Sequence, residues 1–548
     1  MKKKFMQFAL LLLAAALLLP AGAGAAGAPM NANVRIGITY GSSAVPGANL
    51  LNEVGSGYRL GYFDADLNFI QLGWTAETGI SIVKTQNVWY GPLPGSTLKG
   101  YSDAITSDVA VGCYHIQLPT AYVSFDEALA AAGSVPGGFP AWVDGVYYVR
   151  AGAYLSAEEA NAAMAGMEGA TLAGTSSYAV SVVKTGTGTI LFQFDGGAAL
   201  SLGVKPGLDD GVKTVTWYAL NKYYGAFRYQ RLSGGNLTVV SIVDREDYIN
   251  CVISREMSSG WPLEALKAQA VSARSYAANK AGRHTADGFD LCATTHCQVY
   301  YGCGSVAADT AQAAAETAGE YIWYNGDVVE TYYFSSDGGA TESAKNVWGG
   351  DTPYAVGVAD PWEATVADKI SAYNWTVTYT KAELEEKLRS SGRNCRELVD
   401  FQVSEFTPTG NVRAITFTDN TGKSWTISGG ENCKFFLGLN SVRYTVSGGG
   451  GSYYVNEDGG VLGSVNGAYA VDGDGNKAQV SGTPYVITAT GTEELAPAGT
   501  TGDTFTITGS GNGHNVGMSQ WGAYAMAKAG KTYREILNFY YTGIEIKQ

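Results

Sequence analysis

The chain has 548 residues, of which 46% are hydrophobic, only 16% are charged and 72 are glycine. At about 150 residues per domain it has room for three or four domains, and abundant glycine with few charges suits a strand-rich, extracytoplasmic protein better than a helical cytosolic enzyme. With 36 basic against 50 acidic residues the net charge is −14 and no long basic run exists, which excludes nucleic acid as an expected partner and requires any anionic substrate to meet a local basic group.

Lys2, Lys3 and Lys4 precede an apolar run, Phe5 to Leu19, followed by Pro20 and small residues from Ala21 to Ala25. This pattern predicts a secretory signal peptide over 1–26, too short for a comfortable membrane span. After cleavage the protein is expected to be secreted to the cell wall or extracytoplasmic space with no transmembrane anchor. Short alternating runs such as Val34–Ile38, Tyr58–Phe63 and Ile80–Val83 lie between Gly-rich breaks; they predict a β-rich N-terminal domain over 34–115, without a motif that assigns it a role. Strands at Val146–Ala153, Tyr178–Val183 and Thr189–Phe194, with an Ala-rich helix from Ala157 to Met167, predict a second unit over 140–200. Gly203–Gly211, with Pro206, reads as a boundary.

Beyond it, Leu237–Val243 reads as a strand and a helix is expected to start near Arg245. Gly260-Trp261-Pro262 interrupts, and a stronger helix is predicted from Pro262 to about Ala281. Proline in the first turn and Glu264 near the positive end of the dipole favour it. Leu266, Ala270, Ala273 and Ala277 form one apolar stripe. Lys381–Arg389 reads as a short amphipathic helix, and the Gly- and Asp-rich stretch at about 447–503 reads as an insertion. The fold class expected is α+β and multidomain.

Three chemistries can be weighed. Ser181-x-x-Lys184 with Lys184-Thr185-Gly186 imitates a penicillin-binding site, but one lysine would serve two motifs within a strand pattern, so it is rejected. His284, Cys292, His296 and Cys297 fall within fourteen residues; thiolate and imidazole are the ligands tetrahedral zinc favours, and a closed set of four is structural rather than catalytic. Disulfides are the alternative, since a secreted protein permits them. Glu256, between two helices with Trp261 close by, is a candidate general acid, because an apolar neighbourhood keeps a carboxyl protonated.

Longer motifs run through the C-terminal two thirds: Val243-Asp244-Arg245-Glu246-Asp247-Tyr248-Ile249 leading to Arg255-Glu256-Met257, and Trp261-Pro262-Leu263-Glu264-Ala265-Leu266-Lys267-Ala268-Gln269-Ala270-Val271 continuing to Tyr276. Cys297-Gln298-Val299-Tyr300-Tyr301-Gly302, Tyr332-Tyr333-Phe334-Ser335-Ser336-Asp337-Gly338-Gly339, Asp360-Pro361-Trp362 and Gly513-His514-Asn515-Val516-Gly517-Met518-Ser519-Gln520-Trp521 follow. Over 212–548 the chain resembles the SpoIID/LytB family of peptidoglycan-acting proteins. The resemblance implies a lytic transglycosylase that cleaves peptide-free glycan strands between N-acetylmuramic acid and N-acetylglucosamine, with Glu256 as its catalytic residue and a structural zinc at His284, Cys292, His296 and Cys297. Gln269, Ser336, His514, Ser519 and Gln520 are candidates for binding sugar hydroxyls or acetamido groups, and Arg274 for the counter-charge to the muramic carboxylate. The chain departs from the family pattern at Asn515, usually glycine, at Ala340, commonly basic, and at Phe334, often histidine. Residues 140–200, through Tyr147-Tyr148-Val149-Arg150-Ala151-Gly152, resemble a SPOR domain, a module that binds denuded glycan. A competing reading is a wall binder without catalysis that stimulates a cell-wall amidase.

Overall fold

The computed structural model describes residues 29–548 apart from 94, 209–210, 372 and most of 449–502; the expected signal peptide lies outside the described residues. The chain forms two compact units. The first comprises Ala26–Tyr321, Asp327–Glu330 and Lys547–Gln548, and the second Ile322–Gly326 and Thr331–Ile546.

Two large sheets dominate the first unit, which also holds a three-stranded sheet of Lys99–Ser102, Val88–Pro92 and Ala110–Val111. One has seven strands, in the spatial order Leu291–Cys292, Asn33–Thr39, Thr238–Asp244, Ala226–Gln230, Leu202–Pro206, Tyr58–Phe63 and Phe69–Thr75. Alternation sets its faces: Val34 and Ile36 are buried, while Arg35 between them turns out to pair with Asp290 at 2.5 Å. The domain boundaries read from the sequence therefore do not hold. Asn33–Thr39, from the expected N-terminal domain, is hydrogen-bonded to Thr238–Asp244 from the expected catalytic one. Leu202–Pro206 pairs with strands on both sides, so Gly203–Gly211 is no linker. Glycine and proline mark turns between strands as readily as gaps between domains.

The other sheet has ten strands. Within it Tyr114–Tyr122, helix Phe125–Ala132, Gly138–Val143, Val146–Tyr154, helix Ala157–Met164 and Thr171–Leu172 run as β-α-β-β-α-β. The four strands lie side by side in the order fourth, first, third, second, every neighbouring pair antiparallel. This is the split βαβ arrangement. The two helices start alike, Ser124 accepting from the Glu127 N–H and Ser156 from the Glu159 N–H, each a side-chain cap for an otherwise orphaned donor. The module thus begins at Tyr114 and ends at Leu172, not at 140 and 200. Its Gly138–Val143 strand pairs onward with Ile190–Asp195, so the sheet continues beyond it.

Two helices follow the seven-stranded sheet. Arg245–Glu256 is capped by Asp244, whose carboxylate accepts from the N–H groups of Glu246 and Asp247. Leu263–Lys280 begins after Pro262 and is buried over most of its circumference rather than along one stripe, which small residues at Ala265, Ala268, Ala270, Ala273 and Ala277 permit by letting neighbours approach. Arg274 is wholly buried in this helix. Its guanidinium pairs with Glu246 at 2.6 Å and donates to the carbonyl of Glu320 at 3.1 Å. Burial alone would raise the Glu246 carboxyl, but the charges and hydrogen bonds of Arg274 and Arg245 outweigh it and the net shift is downward.

The second unit packs around Leu384, Leu388, Phe401, Phe417, Phe505 and Ile507, with the Phe401 and Phe417 rings stacked at 4.4 Å. Lys381–Ser390 is helical as expected, with Thr380 and Glu383 forming a capping box. Tyr444–Gly448 and Thr504–Ser510 are adjacent antiparallel strands, paired up to Gly448 opposite Phe505. The Gly-rich segment is therefore an insertion between two hydrogen-bonded strands. Its described residues form three two-stranded hairpins, beginning at Tyr453, Tyr469 and Tyr485.

Removing one partner of a buried ion pair leaves the other charge uncompensated, at a cost of about 3–5 kcal/mol. Arg274→Ala should lower the unfolding free energy of the first unit by about 3 kcal/mol, the low end of that range, because Glu246 keeps 24% exposure and recovers part of its hydration. Urea unfolding followed by tryptophan fluorescence measures it; a loss under about 1 kcal/mol would show that the pair contributes no more than a surface bridge.

Candidate functional site

The cysteine and histidine residues of the sequence cluster come together in the first unit. His284 lies just after helix Leu263–Lys280, Cys292 on a short strand beside Gly37, and His296 and Cys297 on the following turn. One ligand atom from each lies within 4.8 Å of all the others. His284 Nε2 is 3.3 Å from His296 Nδ1, which is 3.6 Å from Cys292 Sγ and 3.7 Å from Cys297 Sγ. A zinc tetrahedron with Zn–N near 2.05 Å and Zn–S near 2.3 Å has edges of about 3.3 Å between nitrogens and about 3.6 Å between nitrogen and sulfur. The donor set fits that ion in kind and in spacing. Both cysteines are free thiols, and the hydrogen bond from Cys297, with help from Thr294 and His296, pulls the Cys292 thiol down toward thiolate. Two supporting groups escaped sequence reasoning. Asp287 holds His284 Nδ1 at 2.9 Å and so directs Nε2 inward, and Tyr40 shares a hydrogen bond with Cys292, which together with burial pushes its phenol up to about 12. The signal for Asp287 was present three residues after His284; that for Tyr40, more than two hundred residues away, was not.

Glu256 closes helix Arg245–Glu256 and is half-buried, between exposed Arg255 and buried Met257. Arg255 lies over the Tyr301 ring at 5.0 Å, and Tyr301 is itself 45% exposed, so the end of the helix opens on an aromatic surface. The other two first-unit candidates do not face solvent. Gln269 is fully buried, with neither amide atom hydrogen-bonded among the described residues. Arg274 is committed to Glu246, so the counter-charge role expected from the sequence gives way to a structural one.

In the second unit Tyr333–Phe334 runs parallel to Met518–Ser519, and bridges join Ser336 to Asn512 and Glu342 to Val516. The two motifs around Ser336 and His514 thereby lie side by side. Ser336 and Ser519 are buried, and both donate their hydroxyls to Glu363; Ser519 also caps helix Gln520–Lys528 by accepting from the Gly522 N–H. The structure thus places these two serines inside the fold rather than on a sugar-binding face, and Gln520 is only 7% exposed. His514 is half-buried against Tyr332, Phe334 and Trp348, with ring centroids 6.4, 5.2 and 5.0 Å away. Its Nδ1 accepts from the Val516 N–H at 3.0 Å. Burial, aided by the Lys434 charge, pushes the imidazole down to about 3, so it is neutral near pH 7. The departures from the family pattern have physical reasons. Asn515 has φ of 61°, a left-handed conformation natural for glycine and tolerated best by Asn among side-chain-bearing residues. Its amide also ties the carbonyls of Asp337 and Ala340 at 2.9 and 3.2 Å. Phe334 packs on His514 in place of a second imidazole.

Sequence reasoning missed a buried carboxylate cluster, Asp337, Asp360 and Glu363. Glu363 accepts from the hydroxyls of Ser336 and Ser519 and from the N–H groups of Asp337 and Gly338. Asp360 accepts from the N–H groups of Trp362 and Glu363 and from the Tyr540 hydroxyl. Both carboxylates are saturated with donors. Asp337 has one oxygen on the Gly339 N–H and the other without a donor. Burial, then the charges of Glu363 and Asp360, hold its carboxyl well above the usual range, because like charges this close cannot all ionise. It keeps a proton that the unfolded chain, with a pKa of about 3.9, has lost. The native state binds the extra proton, so this contribution to stability is complete at low pH and is lost as pH rises through the raised value. Asp337→Asn, neutral throughout, should remove that slope, which is at most about 1.4 kcal/mol per pH unit. Unfolding of both proteins between pH 5 and 8 checks it; parallel curves would refute the shared proton.

The chain matches the model of the Stage II sporulation protein family, SpoIID, over residues 233–324. It is similar to an uncharacterized protein of Brachyspira hyodysenteriae, 31% identical over 344 residues, covering 61% of this chain and 75% of that protein. It is also similar to the amidase enhancer of Bacillus subtilis, 30% identical over 306 residues, which are 53% of this chain and 39% of that protein. Stage II sporulation protein D of Bacillus subtilis is 27% identical over 326 residues, 56% of this chain and 76% of that protein.

Proposed function

The chain belongs to the SpoIID family, and we propose that it is a secreted lytic transglycosylase of the cell wall. Its substrate is peptide-free glycan, cut between N-acetylmuramic acid and N-acetylglucosamine. The observation that carries this reading is the position of Glu256, a half-buried carboxyl at a helix end, next in the chain to Arg255, which lies over the exposed Tyr301 ring. A helix C-terminus carries partial negative charge, which suits a group that works first in its proton-bearing form. Protonated Glu256 gives its proton to the glycosidic oxygen; as carboxylate it takes the proton of the muramic C6 hydroxyl while that oxygen closes onto C1. The product is a 1,6-anhydro end. No water enters, so the second carboxylate of a hydrolase is not needed. In the second unit Ser336 and Ser519 are turned inward onto Glu363, so the reading gives neither a sugar contact.

His284, Cys292, His296 and Cys297 would hold a structural zinc, closed by four protein ligands and taking part in no step of the reaction. The split βαβ module from Tyr114 to Leu172 would bind glycan in the manner of a SPOR domain. Among the described residues no helix is long and apolar enough to cross a membrane. A second reading is favoured by one observation, the likeness to a protein named amidase enhancer: the chain would bind denuded glycan and stimulate an N-acetylmuramoyl-L-alanine amidase without cutting.

Two measurements test these assignments. Purified protein should contain about one zinc, and both chelation and Cys292→Ser should lower its melting temperature, since ligand binding and folding are coupled here; metal-free protein of unchanged stability refutes the site. Glu256→Gln preserves shape but cannot transfer the proton, and should cost about 10⁴-fold in turnover of denuded glycan while glycan binding persists. Mass spectra of wild-type digests should show anhydro ends. Reducing ends would make it a hydrolase, and wild-type protein that binds without cutting would favour the amidase-stimulating reading.

A further inference from the structure

With Arg274 committed to Glu246, the basic group that an anionic substrate requires must lie elsewhere. Arg443 has the properties needed. It directly precedes strand Tyr444–Gly448 in the second unit and is half-buried. One edge of its guanidinium is anchored: Nη1 donates to the Thr409 carbonyl at 2.8 Å and lies 3.5 Å from Asn411 Oδ1. No carboxylate is paired with it among the described residues. Nε and Nη2 have no hydrogen-bond partner there either, and neither atom is wholly buried. Those two atoms form the side-on fork that takes both oxygens of a carboxylate.

Arg443 lines a pocket of about 270 Å³ together with Asn374, Gly410, Thr445, Thr508 and Ser510. Gly410, at φ 80°, lies against the guanidinium: a Cβ there would sit 3.4 Å from Nη1, in ordinary contact. The wall is tied to the motif loops: Ser510 donates its N–H to the Arg443 carbonyl at 3.0 Å and its hydroxyl to the Gly338 carbonyl at 3.0 Å. A Cβ on Gly339 would lie 3.9 Å from Nε. An unpaired arginine held in place in a chain of net charge −14, among amide and hydroxyl groups, selects a small anion borne on a polar, hydroxylated body.

We propose that the Arg443 pocket binds the lactyl carboxylate of N-acetylmuramic acid. This rests on the proposed glycan substrate and adds to it the group that is read. The chemistry explains a preference for denuded strands: removing a stem peptide converts the lactyl amide into a carboxylate, and the fork pairs with the anion only. A peptide-bearing muramic residue offers one neutral carbonyl instead, and a charged hydrogen bond exceeds a neutral one by enough for about 10- to 100-fold in affinity.

The test uses the full chain. N-acetylmuramic acid, its lactyl primary amide, N-acetylglucosamine and inorganic phosphate are titrated into wild type, Arg443→Gln and Arg443→Lys, with binding read by calorimetry. Wild type should prefer the acid over the amide by about 10- to 100-fold. Arg443→Gln should lose that preference, and Arg443→Lys, with its charge but no fork, should keep part of it. N-acetylglucosamine should be indifferent to the substitutions. The acid-against-amide comparison on wild type decides the matter even if a variant fails to fold. Equal binding of acid and amide overturns the inference while the transglycosylase reading stands, provided anhydro ends still form. Phosphate that displaces the acid at equal concentration reduces the pocket to a general anion site and also overturns it. If wild type neither binds the acid nor cuts glycan, both readings fall.

Discussion

Glu363 is the carboxylate on which the second unit's site depends. Its two oxygens take four hydrogen bonds, two from backbone N–H groups of the Asp337–Gly338 turn and two from Ser336 and Ser519. Four donors satisfy a buried carboxylate that has no basic partner among the described residues, and here they also clamp two distant chain segments onto one point. Remove that charge and the Ser335–Gly339 loop has no reason to keep its shape. The position of Ser510, the wall it gives the Arg443 pocket, and the seat of His514 all follow from the same clamp. Gly522 completes it, because a methyl group there would collide with the Tyr540 hydroxyl and the Asp360 carboxylate.

A similar economy governs Glu342, which accepts from the hydroxyls of Thr407 and Thr409, from the Asn411 and Asn346 amides, and from the Ser343 N–H. Burial works against its ionised form, but these donors prevail and its carboxyl lies below the usual range. Asn411, bonded to Glu342, is also the group that lies beside Nη1 of Arg443. Two internal anions thus fix the scaffold, and the arginine next to them remains uncommitted. In the first unit the distribution is reversed: Arg274 is internal and closed off, while Glu256 stands at the surface.

What the sequence disclosed depended on how local its cause was. The helix from Arg245 and the break at Gly260–Pro262 were legible because caps, proline and dipole effects act within a turn. The cluster of His284, Cys292, His296 and Cys297 was legible for the same reason, being within fourteen residues. Domain limits were not, since a strand's partner is chosen by the whole sheet: nothing in Val34–Ile38 announces that it will pair with Thr238–Asp244. The roles of Ser336, Ser519 and Arg274 were misjudged through one omission. Residue type suggests what a side chain can bind, but burial decides whether the partner is a ligand or Glu363 and Glu246. The third carboxylate, Asp337, was invisible because its significance comes from Asp360 and Glu363, which share its pocket but not its neighbourhood in the chain.

The strands Tyr444–Gly448 and Thr504–Ser510 leave and rejoin the ladder at facing residues, Gly448 and Phe505. A segment entered and left through one rung is closed by the strands themselves, whatever lies within it. Doubling such a loop adds only about 0.6 kcal/mol of closure entropy. The three tyrosine-led hairpins are in effect cargo on a doorway: evolution or an engineer can lengthen, exchange or strip them without renegotiating the sheet that carries them.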